Sequence, residues 1–452
     1  MSLNDRVRRG LAVAPTVAVA VAALAAAAAG GGAGAALAAV PQAPAAVAGA
    51  AKAAPPGGSI EVVESVPGGT AYGQPELRDA PDVWPEMIGR ARRTLDIETF
   101  YFSDDPLGAD ALDRVLAAVE AAARRGVRVR ALADRRMNGT YPEICARLAA
   151  WPGAECRLLD ARSLWGGVQH AKLFIVDGEE FFVGSQNWDW RALEHIRETG
   201  VRVRSPLLAG RLAAVYALDW ALAGGEAGAA QAQAGEPPLA AAAGAAAAAA
   251  TDRLLTAHGD TVAVTLAASP PAALPPGVPW DWPLLEAAID SARARVRLQL
   301  LSYSPAERGG GYWDGLDAAL RRAGARGVKV QVILSNWAKR KSSLPWIRSL
   351  AAAPNVEVRF TNVPEAASGF IPFARVEHAK YLVADDDVCW VGTSNGSRDY
   401  FHESRNVSLF CRGRPGQGVA ADLTAFFEAG WNGPYAEPVS PCGEYAPPRI
   451  GE

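Results

Sequence analysis

The chain has 452 residues, of which 50% are hydrophobic, and a formal net charge of -3 at pH 7. This length accommodates two or three domains with a large buried core. The slightly acidic balance gives no overall basic field, which argues against tight binding of duplex nucleic acid but leaves room for a local basic groove. Five scattered cysteines without a Cys-x-x-Cys pair argue against a zinc site and a disulfide-dense scaffold, although one or two disulfides can form in an exported protein.

Residues 1–40 have the pattern of a signal peptide or signal anchor. Three arginines within residues 1–10 precede an uncharged, Ala/Val-rich run at 11–29, which is the order of charge and hydrophobicity that export signals show. We therefore expect an extracellular or periplasmic protein, or one anchored to the membrane by an uncleaved segment. The alternative is a low-complexity alanine tail. Residues 41–59, rich in Ala, Pro and Gly, predict a disordered spacer.

The sequence beyond the spacer predicts two similar lobes, residues 60–223 and 251–435. Each contains a strand pattern, a helical stretch and a second strand that begins at an Arg-Gly-Val junction. The segments are 94–101, 110–125 and 126–132 in the first lobe, and 296–303, 316–325 and 327–334 in the second. Strand, helix, strand implies parallel pairing through helical crossovers. The predicted fold class is α/β, with two lobes that arose by internal duplication, each a β-sheet flanked by helices.

Two further segments lie outside the predicted lobes. Residues 224–250 are almost entirely Ala, Gly, Gln and Pro, which predicts a flexible linker or a surface insertion. A polyalanine helix is the alternative for this segment. Residues 436–452 are predicted to be a C-terminal tail.

The pattern His-x-Lys-x4-Asp occurs twice, and each copy continues with matched polar residues. The residues are His170, Lys172, Asp177, Gly184, Ser185, Asn187 and Glu198 in the first copy, and His378, Lys380, Asp385, Gly392, Thr393, Asn395 and Glu403 in the second. A single histidine is more often a core residue than a catalytic one. Two copies with matched lysine, glycine, asparagine and glutamate favour catalysis.

Each copy predicts a β-hairpin. In the first, residues 170–176 and 181–187 have strand composition and flank a turn at Asp177. A loop of four residues would place His170 opposite Asn187. Because side chains two apart share a face of a strand, the histidine and lysine of the motif should lie together, as should the serine and asparagine.

The second copy predicts the same register, with a loop at 385–388 that places His378 opposite Asn395. Asp177 and Asp385 each lie an odd number of positions from their histidine, so both should face away from it. We therefore expect these two aspartates to stabilise the turn rather than to take part in chemistry.

Two imidazoles, two ammonium groups and two carboxamides suit a tetrahedral anion that is held and attacked, such as a phosphodiester. One histidine can attack phosphorus to form a phosphohistidine while the other protonates the leaving oxygen and then activates water or an alcohol. Lys172, Lys380, Asn187 and Asn395 would hold the non-bridging oxygens. No metal or other cofactor is expected. The closing residues, Glu198 and Glu403, are expected to orient the histidine rings, with Ser185 and Thr393 as supporting groups.

With both motifs intact, the chain resembles the phospholipase D superfamily. Residues 184–191 and 392–395, with Tyr400 and Phe401, look most like the lysosomal membrane-anchored branch, although Gly396 stands where those relatives carry an aromatic residue. The resemblance covers about residues 60–435. It implies two α/β lobes related by a pseudo-twofold axis around one metal-independent site.

The resemblance also implies an activity. Relatives of this branch are 5′ exonucleases on single-stranded DNA and RNA and transphosphatidylating enzymes on phosphatidylglycerol-type lipids. The family pattern further implies that His170 is the nucleophile and His378 the acid. The leading prediction is thus an exported phosphodiesterase, a 5′ exonuclease acting on single-stranded nucleic acid.

Two alternatives remain open from sequence. The first is the same chemistry on a phospholipid, by hydrolysis or phosphatidyl transfer, which an apolar rim with exposed aromatic residues would favour. The second is an inactive binding protein. A homo-oligomer also remains open. Four aromatic residues close to the motifs could stack on a base, line an acyl channel or pack in the core: Trp188, Trp190, Tyr400 and Phe401.

Overall fold

The computed structural model describes residues 57–105, 111–225, 251–307 and 310–451, which belong to one compact unit, Pro55–Glu452. The predicted signal or anchor at 1–40 lies outside the described residues, as do most of the predicted spacer and residues 226–250 of the predicted linker.

Strands and helices alternate along the described chain, as an α/β fold requires. The strands are β1 (Ser59–Ser65), β2 (Arg78–Asp79), β3 (Thr94–Thr99), β4 (Phe102–Ser103), β5 (Arg128–Asp134), β6 (Ala154–Leu159), β7 (Leu173–Val176), β8 (Glu180–Gly184), β9 (Trp188–Asp189), β10 (Glu198–Arg204), β11 (Thr251–Thr256), β12 (Thr261–Ser269), β13 (Arg295–Leu300), β14 (Lys329–Ser335), β15 (Val356–Thr361), β16 (Tyr381–Ala384), β17 (Val388–Gly392), β18 (Asn406–Arg412) and β19 (Ala436–Pro438). The α-helices are α1 (Ala80–Gly89), α2 (Ala111–Arg124), α3 (Arg135–Asn138), α4 (Glu143–Ala149), α5 (Ala161–Trp165), α6 (Trp190–Glu194), α7 (Pro206–Ala223), α8 (Asp281–Ser291), α9 (Gly315–Ala325), α10 (Leu344–Ala351), α11 (Arg398–His402) and α12 (Gly418–Trp431). Short 3-10 helices occur at Pro271–Ala273 and Asn336–Lys339.

The order of strands is the same in both lobes. Hydrogen-bonded neighbours follow β6-β5-β3-β7-β8-β10-β1 in the first lobe and β15-β14-β13-β16-β17-β18-β12 in the second. The β3–β5 and β13–β14 pairs are parallel, as the repeated strand, helix, strand pattern predicts. Strand β11 pairs with β1 and with β12, so it joins the two halves into one sheet. The α/β class and the internal duplication are confirmed.

One hydrophobic core contains residues of both lobes. Helix α7 contributes Leu208, Leu212, Val215 and Tyr216 to it, and α12 contributes its own apolar side from the second lobe. Among the described helices, α7 is the one long and apolar enough to cross a membrane. Of its residues, 39% are buried inside the protein.

The predicted hairpins are present, but their predicted register is wrong by one residue. Strands β7 and β8 pair with Val176 opposite Glu180, so the loop contains three residues rather than four. The pairing of Ala384 with Val388 shows the same in the second copy. The loop shortens because Asp177 takes a left-handed backbone conformation, with φ 55°. The histidines and asparagines of the motifs therefore lie beyond the paired strands and are not cross-strand partners.

The aspartates of both motifs bind backbone amides of the neighbouring loop. Asp177 accepts hydrogen bonds from the backbone N–H groups of Arg92, Arg93 and Thr94 at 2.9, 2.7 and 2.9 Å. Asp385 accepts the three equivalent bonds, from residues 293–295, at 2.7, 2.8 and 2.9 Å. These bonds hold the pKa of each carboxyl below its usual value although burial opposes the shift. Both aspartates thus tie the hairpin loop to the start of the central strand, β3 or β13.

Candidate active site

The two motif loops meet through backbone hydrogen bonds between the lobes. The N–H of His170 donates to the carbonyl of Arg405 at 2.9 Å, and the N–H of His378 donates to that of Arg197 at 2.9 Å. Each arginine lies in the copy opposite to the histidine that it contacts. The two half-sites are therefore brought together by symmetric contacts, as the duplicated motif predicts.

The four catalytic candidates are buried. His170 and Lys172 are 4% and 1% exposed, and His378 and Lys380 are 8% and 0% exposed. Each lysine donates one hydrogen bond from Nζ to the carbonyl oxygen of its own histidine, at 2.7 Å in the first copy and 2.6 Å in the second. Because an ammonium group has three donors, each lysine keeps two for an anion.

The motif asparagines are buried and remain candidates for binding an anion. Asn187 and Asn395 are 5% and 1% exposed, and the Oδ1 atom of each has no hydrogen-bond partner among the described residues. Buried carboxamides normally have partners. Oδ1 is an acceptor and does not itself bind an anion, so a role in anion binding falls to the Nδ2 groups. Their N–H donors, with those of the two lysines, suit phosphate oxygens.

Burial and like charge shift the pKa values of the site. Burial lowers the pKa of His170 and His378 well below the ordinary value, and the nearby lysines lower both further. Burial also lowers the pKa of Lys380 to about 7, although Glu198 opposes that shift. The pKa of Lys172 falls in the same direction, through burial and then through Lys380. An anion between these groups would relieve their repulsion and favour their protonated forms.

Each histidine is oriented by a side chain from the opposite lobe, and the two side chains differ. Nδ1 of His378 lies 2.8 Å from both carboxylate oxygens of Glu198. Nδ1 of His170 lies 3.1 Å from Oδ1 of Asn406. Asn406 donates from Nδ2 to the carbonyl oxygen of Tyr400 at 2.7 Å, which directs its oxygen towards the ring. A carboxylate therefore backs one histidine and a neutral carboxamide backs the other.

The expectation that Glu403 orients a histidine is wrong. Its carboxylate pairs with Arg398 at 2.5 Å and its side chain is 37% exposed. The position equivalent to Glu198 is Asn406, since each follows its motif histidine by 28 residues, whereas Glu403 follows by only 25. Matching the copies by a constant offset, rather than by residue type, would have found Asn406.

The two hydroxyl residues support the groups behind the histidines. The Thr393 hydroxyl donates to Oδ1 of Asn406 at 2.7 Å. Burial raises the pKa of Glu198 to about 7, while Lys380, the Ser185 hydroxyl and Lys172 oppose that shift. Ser185 also donates to the carbonyl of Thr199 at 3.0 Å. The hydroxyls thus lie one layer behind the imidazoles.

The motif aromatic residues divide between the core and the site. Trp188 and Phe401 are 0% and 1% exposed and pack in the cores of the first and second lobes. Tyr400 approaches the His170 ring edge-on at 4.8 Å between centroids, and Phe100 lies 5.0 Å from the same ring. Sequence reasoning missed Phe100, which directly follows β3 and so lies at the carboxyl end of a central parallel strand.

Sulfate binding should weaken as the pH rises above about 7. Lys380, with a pKa of about 7, must be protonated to hold an anion. Lys172, whose pKa is also lowered, acts in the same direction. For each proton that is taken up on binding, the association constant for sulfate should decrease by up to tenfold per pH unit. Calorimetric titration between pH 6 and 9 at constant ionic strength measures this, because sulfate keeps its charge over that range.

The control for this titration is Lys329→Met, which removes an exposed lysine paired with Glu357 and should leave sulfate binding unchanged. Lys380→Met should abolish it. A sulfate affinity that is constant or rises with pH would contradict the proposed anion site.

Comparison with known proteins matches both lobes. The family model described as "Cardiolipin synthase, PLD-like domain" matches residues 85–220 and 285–431. The chain is 30% identical over 398 residues to the 5'-3' exonuclease PLD3 of Rattus norvegicus, which covers 83% of this chain and 79% of that protein. It is 29% identical over 400 residues to Phospholipase D Z of Dictyostelium discoideum, which covers 85% of this chain and 92% of that protein.

A solved structure agrees with the fold. The phosphatidylserine synthase of Haemophilus influenzae Rd KW20 superposes with a TM-score of 0.55 and 12% identity, over 79% of this chain and 85% of that chain. At this identity the match supports the shared fold alone. The family model and the relatives extend across both copies of the motif. The chain therefore belongs to the phospholipase D superfamily and is a phosphodiesterase similar to the PLD3 branch.

Proposed function

We propose that this protein is a 5′ exonuclease that hydrolyses single-stranded nucleic acid through a phosphohistidine. The observation that carries the proposal is the two-lobe site, with both motifs complete, in a chain that is 30% identical to 5'-3' exonucleases over 83% of its length. The site residues are His170, Lys172, Asn187 and Glu198 from the first lobe, and His378, Lys380, Asn395 and Asn406 from the second.

His170 is the nucleophile in this proposal. Because Oδ1 of Asn406 can only accept, Nδ1 of His170 carries the proton and Nε2 keeps its lone pair. A neutral carboxamide does not favour the imidazolium form, and burial opposes it. The ring is thus held neutral, with its nucleophilic nitrogen free.

His378 is the acid in this proposal. The carboxylate of Glu198 at 2.8 Å favours the imidazolium form, which can donate a proton from Nε2. Attack by His170 forms a nitrogen–phosphorus bond as the bond from phosphorus to the leaving ribose oxygen breaks. That oxygen takes the proton of His378.

The second step reverses these roles. Neutral His378 takes a proton from water, whose oxygen attacks phosphorus as the bond to His170 breaks. Lys172, Lys380, Asn187 and Asn395 hold the non-bridging oxygens, on which charge grows in both steps. These donors are fixed by the fold, so little reorganisation is needed at the moment of reaction.

Export is part of the proposal. A disulfide joins Cys145 of α4 to Cys156 of β6, and such bonds persist in oxidising compartments. Cys389, Cys411 and Cys442 are free thiols. The bridge agrees with the N-terminal pattern of a signal or anchor. Treatment of the folded protein with a thiol-reactive mass label should modify these three cysteines at most.

The substrate test offers two polymers and two lipids. Purified protein with a chelator is incubated with 5′-hydroxyl single-stranded DNA or RNA, and separately with phosphatidylglycerol or phosphatidylcholine vesicles. We expect mononucleotides to be released from the 5′ end. Turnover of vesicles alone would contradict the nuclease proposal and favour a phospholipase or phosphatidyltransferase. Loss of oligonucleotide hydrolysis on adding chelator would contradict the metal-independent mechanism.

A further inference from the structure

An aromatic ring lies exposed where the two lobes meet. Phe373 is 45% exposed and has φ 58°, a conformation that bulky residues rarely adopt. Such backbone persists only where surrounding contacts hold it. Here the N–H of Phe373 donates to the carbonyl of Ile450 at 2.7 Å, and Arg191 donates to the carbonyl of Pro372 at 3.3 Å. The fold therefore holds a nearly half-exposed apolar ring at a strained backbone position.

Phe373 is close to His378 along the chain. Four residues lie between them, so their Cα atoms, five positions apart, are at most about 18 Å apart. Between them, the guanidinium of Arg375 binds the carbonyls of Pro364 and Gly68. Within the described part of the chain, no carboxylate lies at ion-pair distance from Arg375, so its positive charge is uncompensated between the ring and the site.

A second path leads from Phe373 to the other histidine. Arg191 binds Asp189 at 2.9 Å, and Asp189 accepts a hydrogen bond from the Tyr101 hydroxyl at 2.9 Å. Tyr101 directly follows Phe100, whose ring contacts His170. An ordered connection thus extends from the nucleophile to Phe373.

Aromatic rings and guanidinium groups occur along this connection. Tyr141 stacks on Tyr101 at 5.4 Å, and the guanidinium of Arg191 lies 5.9 Å from the Tyr141 ring. Trp337 approaches Phe373 edge-on at 6.5 Å. Surfaces on which single strands bind combine aromatic rings for the bases with positive charge for the phosphates.

We propose that Phe373 is a stacking platform for an unpaired base of the substrate strand, at a nucleotide beyond the one whose phosphate is cleaved. This inference rests on the proposed nuclease function. Uncompensated charge at Arg375 favours a strand that carries phosphates over an acyl chain, which has none. The platform would bind every base, because each has an aromatic face.

The test compares a long substrate with a short one. Phe373→Ala should raise KM for a single-stranded 12-mer about tenfold, within the range that loss of one stacked base produces. It should change kcat/KM for a nucleoside p-nitrophenyl phosphodiester less than twofold, since that substrate does not extend beyond the scissile phosphate. Phe373→Tyr should retain the wild-type KM. The matched control is Leu207→Ala, a residue that is also 45% exposed and lies after the far end of β10.

Phe373→Asn separates binding from folding. Asparagine tolerates positive φ, so this variant should unfold at the wild-type temperature or above it, yet show the raised KM for the 12-mer. An unchanged KM for Phe373→Ala would overturn the platform while leaving the nuclease proposal intact. Reduced turnover of phosphatidylglycerol vesicles with unchanged oligonucleotide kinetics would overturn it in favour of an acyl contact. If wild type does not hydrolyse the 12-mer, the nuclease proposal itself fails.

Discussion

Replacement of His170 by asparagine is expected to lower phosphodiester hydrolysis by about 10⁴-fold or more, for every substrate. Asparagine keeps a polar side chain at the site but has no nitrogen lone pair for attack on phosphorus. Loss of the nucleophile cannot be offset by a better leaving group. Steady-state assays with an oligonucleotide and with a p-nitrophenyl phosphodiester should therefore show the same loss.

His378→Asn is the matched variant for this comparison. It should also stop turnover of the oligonucleotide, because the leaving ribose oxygen needs a proton. Nitrophenolate leaves without one, so this variant should release about one equivalent of nitrophenol per site in a burst and then stall. A burst in His170→Asn and none in His378→Asn would reverse the two roles.

Glu198→Gln is expected to lower kcat on the oligonucleotide about 10²- to 10³-fold, within the range for loss of general acid catalysis. Glutamine can accept the hydrogen bond from Nδ1 of His378 but carries no charge to favour the imidazolium. Burial raises the pKa of Glu198 to about 7 and lowers that of His378, so the proton of the imidazolium depends on the 2.8 Å contact with the carboxylate.

The pH dependence of kcat tests this role of Glu198. The acid step needs that proton, so wild-type activity should fall as the pH rises above about 7. Without the carboxylate, His378 holds its proton only at lower pH, and the falling limb should move to lower pH in Glu198→Gln. A uniform loss of activity with no shift of this limb would indicate a structural role only.

Asn406→Asp is the reciprocal change. A carboxylate behind His170 would favour the imidazolium form, whose Nε2 is protonated and cannot attack. We expect activity to be lost at low pH and to recover as the pH rises, which is opposite to the trend in Glu198→Gln. Equal pH profiles for the two variants would show that the carboxylate and carboxamide do not separate the two histidines.

The duplicated motif was sufficient to predict the fold class and the proximity of the two histidines to the two lysines. The predicted role of Asp177 and Asp385 in the turn agrees with their hydrogen bonds to backbone amides, although the argument from strand alternation does not apply, because the motif histidines and aspartates lie outside the strands. The hairpin register was off by one, since it depends on the backbone conformation of the loop residues, which composition does not determine.

Contacts that cross between the lobes could not be predicted in the same way. Glu198 of the first lobe contacts His378 of the second, and Asn406 of the second lobe contacts His170 of the first. Glu403 was predicted on the assumption that both copies carry a glutamate behind the histidine. The position equivalent to Glu198 carries Asn406 instead. Phe373 lies outside the motif, and its strained backbone is held by contacts with distant residues such as Arg191 and Ile450.

The central claim is that the two lobes form one site that cleaves single-stranded nucleic acid through a phosphohistidine on His170. The most direct measurement is the mass of His378→Asn after incubation with a nucleoside p-nitrophenyl phosphodiester, whose leaving group needs no proton, in the presence of chelator. A mass increase of one nucleotidyl group, on the peptide that contains His170, is the predicted result. No adduct on this peptide, or an adduct on any other residue, from a p-nitrophenyl phosphodiester that wild type hydrolyses would contradict the account.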